Sequence, residues 1–305
     1  MPRNAGNEGV PGAASAFFRV VQARLTTPLP GRRYRRSMPF AMRLLAAAAL
    51  LAGTACAGTI APPKPPTPAA REALLLLPGF GYSDKGEHAL RALAPSMRVE
   101  GLDLYVPTYV TRSGLTSSRE NVQRFIRDQR LDRYERVHVF AFLAGAWTLN
   151  PLIEDPRALP NLATLVYDRS PYQERAPRVA ADIMPLLAWL RYGNTLFELA
   201  KTPYRPSHRS NVKVGMVVET LPTPFIKRYS NAARAYGPFA FGCESLAQPH
   251  DDCIFIALNH EEMYTRFGEI WPDVRAFIRT ARFTATADRT PPQRDNLDAA
   301  RTERQ

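Results

Sequence analysis

Six short apolar runs, each closed by a turn and followed by a stretch with a different period, constrain this chain more than any other feature. They are 73–77, 102–107, 137–142, 162–167, 213–219 and 253–258. The first, Ala73-Leu74-Leu75-Leu76-Leu77, has no alternation of polar and apolar residues. Such a run suits a strand buried on both faces of a parallel sheet. Helical patterns separate the runs, as around His88–Met97 and Phe267–Phe283, where Ile270, Trp271, Val274, Phe277 and Ile278 share one face. Ser117-Ser118-Arg119-Glu120 has capping-box spacing and predicts a helix start there. Strands alternating with helices predict an α/β fold with a mostly parallel central sheet and helices on both faces. Ligand sites in such folds lie at the carboxyl ends of the strands. The turns after Leu77, Phe142 and Leu258 therefore carry most interest.

The flanking segments read differently. Residues 1–55 form a leader that contains a signal peptide: basic Arg32 to Arg36 and Arg43, then an apolar stretch from Leu44 to Ala52. That stretch is shorter than the ~20 residues a spanning helix needs. Leu51 to Cys56 resembles a bacterial lipobox, with Cys56 as the lipidated residue; ordinary cleavage near Ala55 is the alternative. Residues 56–71 add a proline-rich stalk. The expectation is export to a bacterial cell envelope, with membrane attachment through Cys56. Residues 72–283 form the folded domain, and 284–305 read as a disordered tail.

The net charge of +12 raises the question of nucleic acid. Residues 1–55 carry eight arginines against Glu8, which leaves +5 for the rest. No zinc-finger, RNA-binding or helix-turn-helix pattern accompanies it, so a nucleic-acid partner is not expected. Cys243 and Cys253 either close a disulfide, as an oxidising compartment would allow, or stay as buried thiols. His250, Asp251, Asp252 and His260 lack compact metal-ligand spacing. No metal or cofactor is expected.

Four segments in order resemble the α/β-hydrolase superfamily, and within it lipase- and esterase-like members, over roughly residues 72–282. Leu75 to Gly81 is similar to the strand and turn that supply one oxyanion amide, here that of Phe80. Val137 to Ala146 is similar to the nucleophile elbow built on G-x-S-x-G, which reads Ala141-Phe142-Leu143-Ala144-Gly145. Leu165 to Tyr172 resembles the strand and Ser-Pro-His turn that follow, with Tyr172 in place of histidine. Asn259-His260 and the helix after it resemble the catalytic-histidine region.

The resemblance implies His260 as base, with Glu219, Asp168 or Asp252 (Asp251 beside it) as its acid, and backbone amides of Phe80 and Ala144 as the oxyanion hole. It also isolates a loss, because Leu143 stands at the nucleophile position and has no hydroxyl, thiol or carboxylate. Small Ala141, Ala144, Gly145 and Ala146 keep the close strand–helix crossing that an elbow requires. The expectation is a degenerate elbow, with packing retained and conventional serine catalysis lost. Ser83 and Ser170, both at strand ends, are the displaced nucleophiles an active ester hydrolase would have to use; the alternative is that they are ordinary turn residues. The apolar segment 184–200 falls where lipase-like proteins insert a lid. As a lid it would favour a lipid or acyl-ester ligand; otherwise it is a helix packed within the domain.

Overall fold

The structure, a computed structural model, describes residues 58–62, 71–292 and 297. The leader, Cys56 and the prolines from Pro63 to Pro68 lie outside the described residues. Six strands form one sheet: β1 (Glu72–Leu77), β2 (Leu102–Tyr105), β3 (Arg136–Ala141), β4 (Leu162–Arg169), β5 (Lys213–Glu219) and β6 (Asp252–Ile256). Their spatial order is β2-β1-β3-β4-β5-β6, and every pairing is parallel. Among the described residues the helices are α1 (Asp84–Val99), α2 (Leu115–Asp128), α3 (Leu143–Ile153), α4 (Ala176–Ile183), α5 (Pro185–Lys201), α6 (Pro224–Arg228), α7 (Ser230–Arg234), α8 (His260–Thr265) and α9 (Phe267–Thr280).

The unbroken apolar runs are explained by cores on both faces of the sheet. Leu75, Leu77, Val139, Ala141, Leu165 and Met216 pack with Val122 and Ile126 of α2 and Leu149 of α3. The alternate residues Leu74, Leu76, Phe140, Val166 and Val217 pack with Leu90 of α1 and Ile270, Val274 and Phe277 of α9. Side chains of one strand point alternately to opposite faces, so each run has to be apolar throughout.

Both sheet edges are covered. At the β2 side, Ile60 forms an antiparallel bridge with Val106, so part of the expected stalk lies against the domain. At the β6 side, Phe255 N–H donates to Asp288 C=O at 2.8 Å, and Arg289 pairs with Asp252 at 2.9 Å. The expectation of a disordered tail from Thr284 onward is therefore corrected over Thr284–Pro292. Unpaired strand edges invite association with other chains, and these segments satisfy them.

The helix start expected at Ser117 is also corrected. α2 begins at Leu115 behind Gly114, and the Leu115 N–H donates to the Glu198 carboxylate of α5 at 2.7 Å. A tertiary partner replaces the local cap. The capping box occurs instead at Asn259 and Glu262, at the start of α8.

The chain reverses direction across the sheet between β1 and β3. At such a switch point the crevice opens at the carboxyl ends of the two strands. Leu77 and Ala141 are level in the register, so the turns after β1 and β3 lie side by side. A Cβ on Gly145 would stand 2.6 Å from Leu77 C=O, which is why glycine occupies this crossing of α3 over β1.

Candidate functional site

Three carboxyl ends of strands place the ionisable groups. Asp168 lies at the end of β4, Glu219 is the last residue of β5, and His260 opens α8 just beyond β6. All three are buried: Asp168 is 1%, Glu219 0% and His260 7% exposed. His260 Nδ1 is 2.8 Å from Glu219 Oε1 and 3.6 Å from Asp168 Oδ2. Asn259 fixes the entry to α8 by accepting from Glu261 N–H and Glu262 N–H, while Glu262 accepts from Asn259 N–H. The cap thus sets where the imidazole leaves the backbone.

The two acids dominate the electrostatics. Burial alone would depress the imidazole, but Glu219 and Asp168 outweigh it and push His260 up to about 10. Burial, and then the Glu219 charge, hold Asp168 well above the usual carboxylate range. With Nδ1 directed at two acids, the other ring nitrogen faces the turn after β1.

That nitrogen meets Tyr264, a residue the motif reading does not include. Tyr264 Oη lies 3.3 Å from His260 Nε2 and accepts Gly79 N–H at 2.8 Å. Burial pushes the phenol pKa up, so the hydroxyl keeps its proton. On the other side of the same peptide unit, Tyr109 O–H donates to Pro78 C=O at 2.6 Å. Two tyrosines therefore clamp the Pro78–Gly79 peptide and orient Phe80, whose amide the resemblance assigned to the oxyanion hole. The point where a Gly79 Cβ would stand is 3.3 Å from Tyr264 Oη, 3.4 Å from His260 Nε2 and 3.6 Å from Ala144 N. Ala144 N, the other assigned oxyanion amide, thus borders the same space beside Gly79 as the imidazole. The available signal for Tyr264 was its spacing: four residues beyond His260, it shares a face of α8.

The elbow holds no strained residue at its centre. Phe142 is the N-cap of α3 in extended backbone, and Leu143 is the first helical residue, 6% exposed. Among the described non-glycine residues only Arg130, Ala247 and Ala281 have positive φ. Leu143 therefore lacks the strained backbone that a nucleophile elbow supports. Phe142 stacks on Tyr264 at 4.3 Å between centroids, which ties the elbow to α8.

The remaining expected residues lie apart from this cluster. Asp252 opens β6, at the amino end of the strand that His260 follows, and its carboxylate serves Arg289, Phe283 N–H and Cys253 N–H. It is not the acid of His260. Asp251 pairs with Lys213 and accepts Val214 N–H. Ser170 Oγ accepts Gln173 N–H at 3.3 Å in the turn after β4. Ser83 is the N-cap of α1, where its carbonyl accepts Glu87 N–H. Among the described residues His260 hydrogen-bonds Glu219 and Tyr264, and neither serine. Cys243 and Cys253 are joined in a disulfide.

The segment 184–200 forms most of α5, kinked at Gly193, where φ 62° is a left-handed value that glycine tolerates. Beyond the kink Leu196 and Leu199 are buried; before it Leu186, Trp189 and Leu190 are exposed, as is Ile183 at the end of α4. Phe80 packs edge-on against Tyr192 at 4.8 Å, so the turn after β1 touches the kinked helix. Among the described residues no helix is long and apolar enough to cross a membrane.

The parallel sheet in this order, the strand–turn–helix after β3 and the acid-paired histidine after β6 define an α/β-hydrolase architecture. No protein-family model matches the chain, and no curated protein sequence matches it. Among solved structures it is similar to a lipase of Bacillus licheniformis in its mature form, at 11% identity over 70% of this chain and 96% of that one, with a TM-score of 0.47. It is also similar to an esterase of Pyrococcus furiosus, at 11% identity over 71% and 84% of the two chains, with a TM-score of 0.42. A third is YbtT, a type II thioesterase from the yersiniabactin pathway, at 13% identity over 75% and 100%, with a TM-score of 0.43.

Proposed function

We propose that this chain is an exported, membrane-anchored protein of the hydrolase fold that does not carry out conventional serine-hydrolase chemistry and uses its strand-end site to bind a lipid-like ligand. One observation carries the reading: buried Leu143 occupies the nucleophile position, and His260 Nε2 faces Tyr264 instead of a serine or cysteine. A serine hydrolase needs an attacking oxygen within reach of the histidine. The buried phenol is a poor substitute, because its proton is held more tightly than in water.

Support for an apolar ligand comes from the helices beside the site. Ile183, Leu186, Trp189 and Leu190 are exposed together on α4 and α5, and clustered exposed apolar side chains mark interaction surfaces. Attachment through Cys56 would hold this surface near lipid.

The test combines a fluorophosphonate probe, a panel of carboxylic esters and a fluorescent long-chain fatty acid, all with the purified chain. The expected result is no labelled serine, no ester turnover above background, and saturable fatty-acid binding weakened by Trp189→Glu. Labelling at Ser83 or Ser170, or turnover abolished by His260→Ala, would overturn the non-catalytic reading. Palmitate labelling lost in Cys56→Ala would support the anchor.

A further inference from the structure

We propose that Asp168, Glu219 and His260 form a binding site for one divalent cation of the zinc type, with the imidazole bound through Nδ1. The three side chains each offer a ligand atom, and these atoms all lie within 4.8 Å of one another. They project from β4, β5 and the start of α8, at neighbouring positions along the carboxyl edge of the sheet. Ligands bound to zinc at about 2.0–2.2 Å stand about 3.3–3.6 Å apart in a tetrahedral shell. The observed separations from Nδ1, 2.8 Å to Glu219 and 3.6 Å to Asp168, bracket that spacing.

Charge and hydrogen bonding point the same way. Asp168 Oδ1, Asp168 Oδ2 and Glu219 Oε2 are buried and have no hydrogen-bond partner. A buried carboxylate without donors is costly unless it is paired or coordinates a metal. Among the described residues the only cationic side chain within ion-pair distance of either acid is His260. The neighbouring Arg169 turns away to Glu174 at 2.6 Å and lies over the Tyr204 ring. Without an ion, two acids and an imidazole at such close quarters reach neutrality only while one carboxyl keeps a proton. A dication with two carboxylates and a neutral imidazole sums to zero and gives the orphaned oxygens a partner.

The imidazole is already oriented for this role. Tyr264 Oη stands 3.3 Å from Nε2, where it can accept the Nε2–H while an ion takes the place of the Nδ1 proton between the acids. Histidines that bind metals commonly donate their other ring N–H in this way. The inference concerns the acid side of the imidazole and stands whether or not a lipid binds on the other.

The test uses the purified full chain with its disulfide intact, so that Cys243 and Cys253 cannot compete for the ion. After incubation with zinc chloride and removal of excess ion, elemental analysis should find about one zinc per chain, and titration should show affinity reduced more than about tenfold in Glu219→Gln and in Asp168→Asn. Both substitutions keep side-chain size and remove charge, and their thermal unfolding reports whether they fold. Cobalt in place of zinc should give the intense visible bands of a four-coordinate site, lost in the same variants. A wild-type protein that retains no metal, or a folded Asp168→Asn/Glu219→Gln double variant that retains as much as wild type, would overturn the assignment; the first result would leave a proton shared between the carboxylates as the resolution of their charge.

Discussion

Tyr264 stands one helical turn beyond His260, and its hydroxyl faces the imidazole Nε2 at 3.3 Å while accepting Gly79 N–H at 2.8 Å. One phenol thus joins the histidine of α8 to the turn after β1. The histidine that a hydrolase would aim at its substrate is held by a side chain of the protein itself, and the same hydroxyl fixes the peptide before Phe80.

Tyr264→Phe removes this junction and leaves the ring packed on Phe142. The Gly79 N–H then loses its acceptor in a buried setting, which costs about 1–3 kcal/mol. Urea unfolding should show a lower midpoint with an unchanged slope. An unchanged midpoint would mean that water or another group replaces the hydroxyl.

Leu143→Ser should not create an esterase. The substitution supplies an oxygen, but residue 143 starts α3 with helical backbone, and His260 Nε2 is engaged with Tyr264. Turnover of short-chain nitrophenyl esters is expected to stay at background, while replacing a buried leucine lowers stability by roughly 2–5 kcal/mol. Turnover that depends on His260 in this variant would show that the elbow adopts the strained geometry when a serine is present.

Cys243 and Cys253 lie 10 residues apart, and closing so short a loop restricts the unfolded chain by roughly 2–3 kcal/mol. The Cys243→Ser/Cys253→Ser variant should melt below the wild type when both are oxidised. Under dithiol reduction the difference should disappear.

How much of this was legible in the sequence follows from the physics of each feature. The strands declare themselves because a sheet covered on both faces needs apolar residues at every position, as Leu74 to Leu77 show. His260 and its two acids could be named from strand ends. Choosing among Asp168, Glu219 and Asp252 required knowing that Asp252 begins β6 and the other two lie at the ends of their strands. Ser117 misled because a local spacing cannot reveal that Glu198, distant in sequence, would cap α2. Tyr264 was missed because a buried tyrosine on a helix reads as packing until its hydroxyl is seen against Gly79. The edge segments around Ile60 and Asp288 are invisible for a related reason: backbone hydrogen bonds to the sheet can be made by any residue type, and no local pattern marks Ile60 as a core residue.

His138 sets the last prediction, at the opposite end of the sheet from the site. It is fully buried on β3, bonded through Nδ1 to Thr164 Oγ1 at 2.8 Å, with Nε2 3.4 Å from Glu72. The groups facing it are Glu72 of β1, Arg136 of β3 and Arg279 of α9; Glu72 favours the charged imidazole and the arginines oppose it. Burial dominates and depresses the pKa to about 4, against 6.5 when exposed. Between these values the unfolded chain binds the proton and the native chain does not, so stability is complete above pH ~6.5 and is lost as pH falls toward ~4. At 1.36 kcal/mol per unit this amounts to about 3 kcal/mol. Glu72, whose pKa is lowered chiefly by Arg136 against the opposing effect of burial, adds loss in the same direction at still lower pH. Comparing urea midpoints of wild type and His138→Gln from pH 7 to 4 separates the two: the variant should lose less stability over this interval. Equal losses in the two proteins would assign the acid sensitivity to the carboxylates alone.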